Sequence, residues 1–368
     1  MLLPIGKDRV DTSTALDVIN PFTQAVVATV PQGDASTLDL AANHATDAFE
    51  NTRIQPPHER AGLLLKVART MEERRSELAD LIVAEAGKPI VFAEAEVDRA
   101  VITFTSAAEE IRRAHGEVLP LDGFAPGAGH FAITQRFPLG VIYAITPFNF
   151  PLNLVAHKVA PCIATGNTMV LKPAPKTPLS SIRLVEILLE CGMIPGQVNA
   201  VTCPNELAGK LVEDDRIRMI SFTGSPAVGW QIKSRAGKKR VTLELGGNAG
   251  VIVHDDADIT GIIPTIATGA FAYAGQSCIS VQRVFIQRTI YESFRDQLVS
   301  HVNNKVRTGD PKDRSVIVGP MISADAATKT LRMINDAKNA GACILTGGVA
   351  KGQMIQPTII ENASPDLE

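Results

Sequence analysis

The residues best suited to chemistry are a carboxylate and a thiol, Glu244 and Cys278, which lie 34 positions apart (278 minus 244). Gly246 and Gly247 follow the carboxylate and Gly275 precedes the thiol, and glycine allows sharp turns and a close approach of the backbone to a ligand. A thiolate can attack a carbonyl carbon to form a hemithioacetal, and oxidation of that carbon leaves a thioester. A carboxylate can then activate the water that hydrolyses the thioester. The pair therefore predicts covalent catalysis at a carbonyl. The alternative is a small buried thiol and a surface carboxylate.

The composition of the chain excludes several classes of protein. It has 368 residues, 45% hydrophobic and 20% charged, so a large core can be buried in two or three domains. The net charge is −3 without a marked basic or acidic run, so we expect no nucleic acid and no membrane as a partner. No apolar run is long enough to span a bilayer and no secretory signal is visible, so we expect a cytoplasmic protein.

The cysteines indicate the same compartment. Their number is odd and no Cys-x-x-Cys pair occurs, which is typical of free thiols in a reducing cytosol and not of a disulfide framework or a zinc site. We therefore expect no bound metal. The five are Cys162, Cys191, Cys203, Cys278 and Cys343.

The elements that must position the carboxylate form an alternating series of strands and helices. Five strands with helices between them predict an α/β fold with an open parallel sheet, a nucleotide-binding architecture. The Gly-x-Gly-x-x-Gly fingerprint is nevertheless absent after the first strand. The strands are predicted at 141–146, 168–172, 198–202, 219–223 and 241–245, and the helices at 152–165, 179–190, 205–212 and 226–236.

Other sections flank this series. The N-terminal part is helical after an extended start, with a helix capped by Asp34, a helical stretch from Pro57 to Gly87, and a helix at 91–113. Residues 117–138 predict a projecting β-hairpin. A second α/β section has predicted strands at 250–254, 281–287 and 356–360 and helices at 259–273, 290–304 and 324–339. The predicted domains are 1–116, 117–138, 139–247 and 248–368.

Five motifs in one order resemble those of the aldehyde dehydrogenase superfamily. The resemblance covers the whole chain in layout, and five motifs at matching spacing are far more specific than any one. It implies a Rossmann-like cofactor domain formed by 139–247 with the helical 1–116, an oligomer-contact hairpin and a catalytic α/β domain. The motifs are Thr146-Pro147-Phe148-Asn149-Phe150-Pro151, Gly166-Asn167-Thr168 leading to Lys172-Pro173, Ser221-Phe222-Thr223-Gly224-Ser225, Leu243-Glu244-Leu245-Gly246-Gly247 and Gly275-Gln276-Ser277-Cys278.

The resemblance assigns three catalytic roles. Cys278 would be the nucleophile and Glu244 the general base. Asn149 would donate to the oxyanion together with the backbone N–H of Cys278. Asn149 follows the first strand of the sheet, at the carboxyl edge where ligands bind in such folds. The alternative is that the prolines and aromatics around Asn149 only brace a turn. His157 and Lys158 are predicted to serve packing or the surface.

The cofactor implied by the resemblance is NADP or NAD. Ser225 opens a helix whose backbone N–H groups and dipole favour a phosphate, although it could be an ordinary capping serine. The resemblance makes Lys172 a ribose ligand. Three residues later Pro175 stands where many NAD-preferring members carry a glutamate, and Lys176 could attract a 2′-phosphate, so NADP or dual use is favoured. The candidate cofactor residues are Thr146, Pro147, Phe148, Lys172, Pro175, Lys176, Gly224, Ser225, Leu245 and Gly246.

The favoured function is the oxidation of a small-molecule aldehyde, of unknown identity, to a carboxylic acid by a non-acylating NAD(P)-dependent enzyme. Two alternatives stay open. A CoA-acylating semialdehyde dehydrogenase would typically lack the base, so Glu244 argues against it. A non-catalytic fragment or homologue would keep the fold without needing Cys278, Glu244 and Asn149, so the presence of all three argues against it.

The resemblance also implies features beyond residue 368. Family members continue with a Glu-x-Phe-Gly-Pro segment and with a late strand that pairs with the hairpin of a neighbouring subunit. We therefore expect a homodimer or homotetramer for the intact protein. We also expect that the catalytic domain is C-terminally incomplete here and that residues 1–368 alone are a poor catalyst.

Overall fold

The structure is a computed structural model that describes residues 1–248, 250–364 and 367. Its N-terminal section packs four helices beside two small antiparallel pairs of strands. Asp34 caps the first helix as predicted, since its carboxylate accepts from the Thr37 N–H at 2.9 Å. The strands are β1 Leu3–Ile5, β2 Asp8–Val10, β3 Ala15–Ile19 and β4 Val26–Pro31, and the helices are α1 Ala35–Thr52, α2 Pro57–Glu73, α3 Arg75–Ala86 and α4 Ile90–Glu110.

The helical stretch predicted from Pro57 to Gly87 is two helices. Arg74 leaves the helical region, with φ −102° and ψ 22°, and separates α2 from α3. Both helices pack on α4, so each turns its own apolar face toward it. The sequence around Arg74 is polar, and helical periodicity continues across it without marking the break.

The predicted hairpin is present but short. Strands β5 Val118–Pro120 and β6 Phe131–Ile133 pair antiparallel, with Leu119 opposite Ala132. The connection between them includes a single 3₁₀ turn, Ala125–Gly127. Val118, Phe131 and Ile133 are 71%, 72% and 68% exposed, so the hairpin presents apolar side chains to solvent.

The central sheet is open and entirely parallel, as predicted. Its order is β11-β10-β7-β8-β9, so the chain reverses direction across the sheet beside β7 and creates a switch point there. Observed ends differ from the predicted ones by at most two residues. The strands are β7 Val141–Ile145, β8 Thr168–Lys172, β9 Val198–Ala200, β10 Ile217–Gly224 and β11 Arg240–Leu245, and the helices are α5 Asn153–Ala164, α6 Leu179–Glu190, α7 Asn205–Glu213 and α8 Pro226–Arg235.

The second α/β section has a separate core in which Val253, Ile263, Phe294 and Leu298 are buried. Instead of one strand at 356–360, residues 343–361 form two antiparallel pairs. These strands have two to four residues, too few for alternation to show. The elements are β12 Gly250–Val253, α9 Ile259–Phe271, β13 Arg283–Ile286, α10 Tyr291–Lys305, α11 Ala324–Asn339, β14 Cys343–Thr346, β15 Ala350–Lys351, β16 Met354–Ile355 and β17 Ile359–Glu361.

Strands β12 and β13 pair in parallel, β14 pairs with β17, and β15 pairs with β16. Helix α9 ends two residues before the predicted 273 because Ala272 leaves the helical region, with φ −53° and ψ 130°, and Tyr273 and Ala274 follow in left-handed conformations. Among the helices that the structure describes, none is long and apolar enough to cross a membrane.

Candidate active site

The strand register brings the candidate residues of the sheet to one edge. Ile145 at the end of β7 lies beside Lys172 of β8 and beside Phe222 of β10. Thr223 of β10 lies beside Glu244 of β11. Because all the strands run the same way, these ends and the turns that follow them meet at the carboxyl edge, where open α/β sheets bind ligands.

Asn149 joins this edge to the turn that carries Cys278. Its side-chain Nδ2 donates to the Gln276 carbonyl at 3.0 Å. An amide nitrogen carries two hydrogens, so one such bond leaves a second donor for a ligand. Cys278 follows two residues after Gln276, and its side chain is exposed. The structure thus brings together a thiol and a side-chain amide from two different sections of the chain.

The turn before Cys278 has an unusual backbone. Tyr273, Ala274 and Gly275 have φ values of 53°, 56° and 70°, and only the glycine adopts this region without a steric cost. Contacts from elsewhere hold the turn: the Tyr273 N–H donates to Ile317 O at 3.0 Å and its hydroxyl donates to Ala86 O at 2.9 Å. Backbone strain of this kind persists where the surroundings enforce it, often at functional sites.

Gln276, which was named above only as a member of the Gly275–Cys278 motif, holds the turn in place through its side chain. Its Oε1 accepts from the Ile322 N–H at 2.9 Å, and its Nε2 donates to Pro320 O at 3.2 Å. Its backbone carbonyl accepts from Asn149. The residue therefore fixes the thiol-bearing turn to the loop at 320–322 and to the central sheet at once.

Glu244 lies exposed near the end of β11, and its charge interacts with buried Lys158 on α5. Burial lowers the pKa of Lys158 to about 8, against the opposing effect of the Glu244 carboxylate. The Lys158 ammonium donates to Ser221 Oγ at 2.9 Å. Packing was predicted for Lys158. The structure adds an electrostatic link to the candidate base that its position on the helix could not show.

Two candidate cofactor residues are buried at the sheet edge. Thr146 is 4% exposed, and its hydroxyl is enclosed without a hydrogen-bond partner in the protein. Lys172 is 3% exposed and donates to Asn205 Oδ1 at 3.0 Å, and burial lowers the pKa of Lys172. Asn205 was not predicted as a site residue. Pro175 and Lys176 follow in the loop to α6, where Lys176 is exposed.

Ser225 occupies the N-cap position of α8, but its side chain makes no capping hydrogen bond. The first residues of the helix are exposed, which leaves N–H groups there free to bind an anion. At Gly224 a Cβ atom would lie 2.6 Å from the Phe222 ring, so only glycine fits before Ser225. Next to this end of the helix, the space around Gly246 is open, with Pro226 Cδ 3.9 Å from where its Cβ would lie.

Comparison with known proteins identifies the family of the chain. A model of the aldehyde dehydrogenase family matches residues 9–368. The 3-sulfolactaldehyde dehydrogenase of Priestia aryabhattai is 38% identical over 359 residues, which are 97% of this chain and 74% of that protein.

Two solved structures are similar over the full chain. Aldehyde dehydrogenase 21 from Physcomitrella patens, in complex with the reaction product succinate, has a TM-score of 0.96 at 39% identity, covering 100% of this chain and 76% of that one. The NADP-dependent glyceraldehyde-3-phosphate dehydrogenase of Bacillus halodurans, complexed with NADP, has a TM-score of 0.96 at 34% identity, covering 100% and 77%. The chain therefore belongs to the aldehyde dehydrogenase family and is an oxidoreductase that acts on aldehydes with NAD or NADP.

Proposed function

We propose that the protein oxidises its aldehyde to a carboxylic acid through a covalent intermediate on Cys278, with Asn149 as oxyanion donor and Glu244 as general base. The observation that carries the proposal is the hydrogen bond from Asn149 to the Gln276 carbonyl, because it places an amide donor against the turn that presents the thiol. Asn149 and the turn that carries Cys278 are far apart in the chain and meet only in the folded protein.

The first step makes a thiohemiacetal. The Cys278 thiolate attacks the carbonyl carbon, and the carbonyl oxygen takes up the negative charge. The remaining donor of Asn149 and the backbone N–H of Cys278 are suited to stabilise that charge, and each such donor contributes about 3 kcal/mol in comparable sites. The constrained turn at 273–275 supports this role, since donors must be held in place before the reaction.

The residues at the sheet edge fit a nicotinamide dinucleotide. The enclosed Thr146 hydroxyl offers an unused hydrogen-bonding atom, Lys172 offers a cation, and the start of α8 at Ser225 offers N–H groups for the pyrophosphate. A nicotinamide held by these residues would supply the hydride acceptor for oxidation of the carbon to the thioester. Position 175 carries a proline in place of a carboxylate, so no negative charge at that position would repel a 2′-phosphate, and the exposed Lys176 follows it. Both features support NADP or dual use.

Glu244 completes the reaction by hydrolysis. Its carboxylate takes a proton from water, the hydroxide adds to the thioester carbon, and the Cys278 thiolate leaves as the acid is released. The presence of this base supports hydrolysis over transfer of the acyl group to CoA. The substrate is proposed to be a short aldehyde with an acidic group, supported by one relative named for 3-sulfolactaldehyde and another solved with succinate.

We further propose a homodimer or homotetramer in the cytoplasm. The exposed apolar side chains of the hairpin support subunit contact. All five cysteines are free, which supports a reducing compartment. The chain divides in this proposal into cofactor-binding parts 1–116 and 139–247, the hairpin 117–138 and the catalytic section 248–368.

Replacement of the nucleophile tests the mechanism. Cys278→Ala should abolish aldehyde-dependent reduction of NADP and NAD across a panel of short acidic aldehydes, because no other group at the site can form the thioester. Cys343→Ala is the matched control, since Cys343 is also exposed but lies in β14. Full activity in Cys278→Ala, with a normal melting temperature, would refute the mechanism.

A further inference from the structure

A buried ion pair lies behind the two active-site turns. Lys88, between α3 and α4, and Glu96, on α4, are each 1% exposed and pair through Nζ and Oε2. The cost of taking two charges out of water often cancels their attraction, and an apolar pair of similar volume can hold a core equally well. Stability alone therefore does not account for these two charges.

Glu96 holds the end of the turn that carries Asn149. Its Oε1 accepts from the Leu152 N–H at 2.9 Å and from the Asn153 N–H at 3.1 Å. These N–H groups lie at the amino end of α5, where the helix cannot satisfy them and a negative charge is favoured. Leu152 is three residues after Asn149, so the carboxylate fixes the backbone that leads from the oxyanion donor into the helix.

Lys88 contacts an aromatic ring from each active-site turn. Its Nζ lies 3.7 Å from the centroid of the Phe150 ring and 4.9 Å from that of the Tyr273 ring. Phe150 directly follows Asn149, and Tyr273 begins the left-handed turn that leads to Cys278. A cation is attracted to the face of such rings, more strongly when water is excluded. The ammonium thus bridges the two turns from behind.

We propose that the Lys88–Glu96 pair positions the oxyanion donor Asn149 against the Cys278 turn and so controls the rate of the chemical step without touching the substrate. The inference rests on the proposed roles of Asn149 and Cys278. A displacement of the donor by about 1 Å can lower the rate roughly 100-fold, so small structural changes at the pair should lower the rate of the chemical step. The effect should fall on kcat, since the donor acts on charge that develops in the transition state.

The test variant is Lys88→Met combined with Glu96→Gln. It removes both charges, keeps the volume, and retains a side-chain oxygen at position 96 that can accept from Leu152 and Asn153. The matched control is Glu94→Gln, on the same helix, which removes the charge that pairs α4 with Arg314 of the second α/β section at 2.7 and 2.9 Å. We expect kcat to fall roughly 10- to 100-fold in the double variant, with KM for the cofactor within about twofold, and to stay unchanged in the control.

A mutant cycle with Asn149→Ala separates positioning from general destabilisation. If the pair acts through Asn149, the charge-removing change should cost less than about threefold once Asn149 is gone, because residues that act as a unit are not additive. An equal loss in both backgrounds would overturn the inference. Asn149→Ala with full activity would instead refute the proposed function, so the two failures are distinguishable.

Hydrogen exchange gives a readout that needs neither cofactor nor substrate. Among the non-proline residues of 147–153, the amides of Leu152 and Asn153 above all should exchange faster in the double variant than in the wild type or Glu94→Gln, whereas the interior of α5 should not change. Unchanged exchange in that segment would also overturn the inference. Should the double variant not melt cooperatively, Lys88→Arg, which keeps the charge but alters the geometry at both rings, is carried through the same cycle. Additivity there, or failure of both variants to fold, would assign the pair to folding and overturn positioning.

Discussion

At the residue scale, the side chain of Glu244 is expected to separate the two halves of the reaction. Glu244→Gln keeps the shape of the side chain but cannot accept a proton from water. The first turnover should proceed, giving a burst of reduced cofactor, and the steady-state rate should then fall about 100-fold or more because deacylation lacks its base. Stopped-flow absorbance measures both phases. An unchanged steady-state rate would remove Glu244 from the mechanism.

Lys176 is expected to distinguish the two cofactors. Lys176→Ala should weaken NADP binding about fivefold, about 1 kcal/mol, and leave NAD nearly unaffected, because only NADP carries a 2′-phosphate for a charge-assisted contact. Titration of each cofactor by protein fluorescence measures the two affinities. Lys238→Ala, at an exposed lysine in the turn before β11, is the control. Equal weakening of both cofactors would mean that Lys176 is only solvated.

At the element scale, the buried carboxyl group of Glu85 caps the amino end of α6. Glu85, at the end of α3, accepts from the Leu179 and Ser180 N–H groups at 2.7 and 2.9 Å and from the Ser180 hydroxyl. Burial nevertheless raises the pKa of Glu85 from 4.5 to about 7, helped slightly by the charge of Glu96. The carboxyl group that caps α6 therefore titrates near neutral pH.

This proton makes stability depend on pH in a definite direction. Since the pKa of Glu85 is higher in the folded state, the folded protein retains a proton that the unfolded chain has lost between pH 4.5 and 7. The group's contribution to the free energy of unfolding is thus full below pH 4.5 and falls by on the order of 3 kcal/mol as pH rises to 7. Glu85→Gln should flatten this part of the profile.

Urea denaturation at a series of pH values measures the slope. Glu77→Gln is the control, since Glu77 lies on the same helix in an exposed ion pair with Arg183. As pH rises from 5 to 7, the free energy of unfolding of the wild type should fall relative to that of Glu85→Gln. Parallel profiles for wild type and Glu85→Gln would contradict the prediction.

At the scale of the whole molecule, the hairpin is expected to govern assembly. Phe131→Lys with Ile133→Lys places two charges on β6, where the wild-type side chains are mostly exposed. Self-association should weaken at least 10-fold because the apolar contact is lost and charges would be buried. Sedimentation velocity over a concentration series measures this. Val26→Lys, at an exposed apolar residue of β4, should have no effect. An unchanged oligomer in the hairpin variant would place the interface elsewhere.

The sequence by itself determined the strands and helices of the parallel sheet and, through the family resemblance, the candidate site residues. Strand ends, turns and helix starts depend on residues that are close in the sequence. The residues at and after the ends of β7 and β11 could therefore be assigned to the carboxyl edge before any contact was known. Asn149 follows β7 and Glu244 lies near the end of β11, and the parallel register shows that these two strands end at the same edge, on either side of β10. Their catalytic roles were implied by the family resemblance. Asp34 as a helix cap was likewise readable, because a capping bond spans only three residues.

Only the tertiary structure decided which charges are buried and which turns touch. Glu96 lies in a helix and Lys88 in the turn before it, and the sequence pattern around them is ordinary for such elements. Nothing in that pattern indicates that both side chains are buried. Gln276 became recognisable only through partners at 149 and 320–322. Burial and long-range contacts depend on how elements that are distant in the sequence pack together. Local hydrophobic periodicity does not predict that packing.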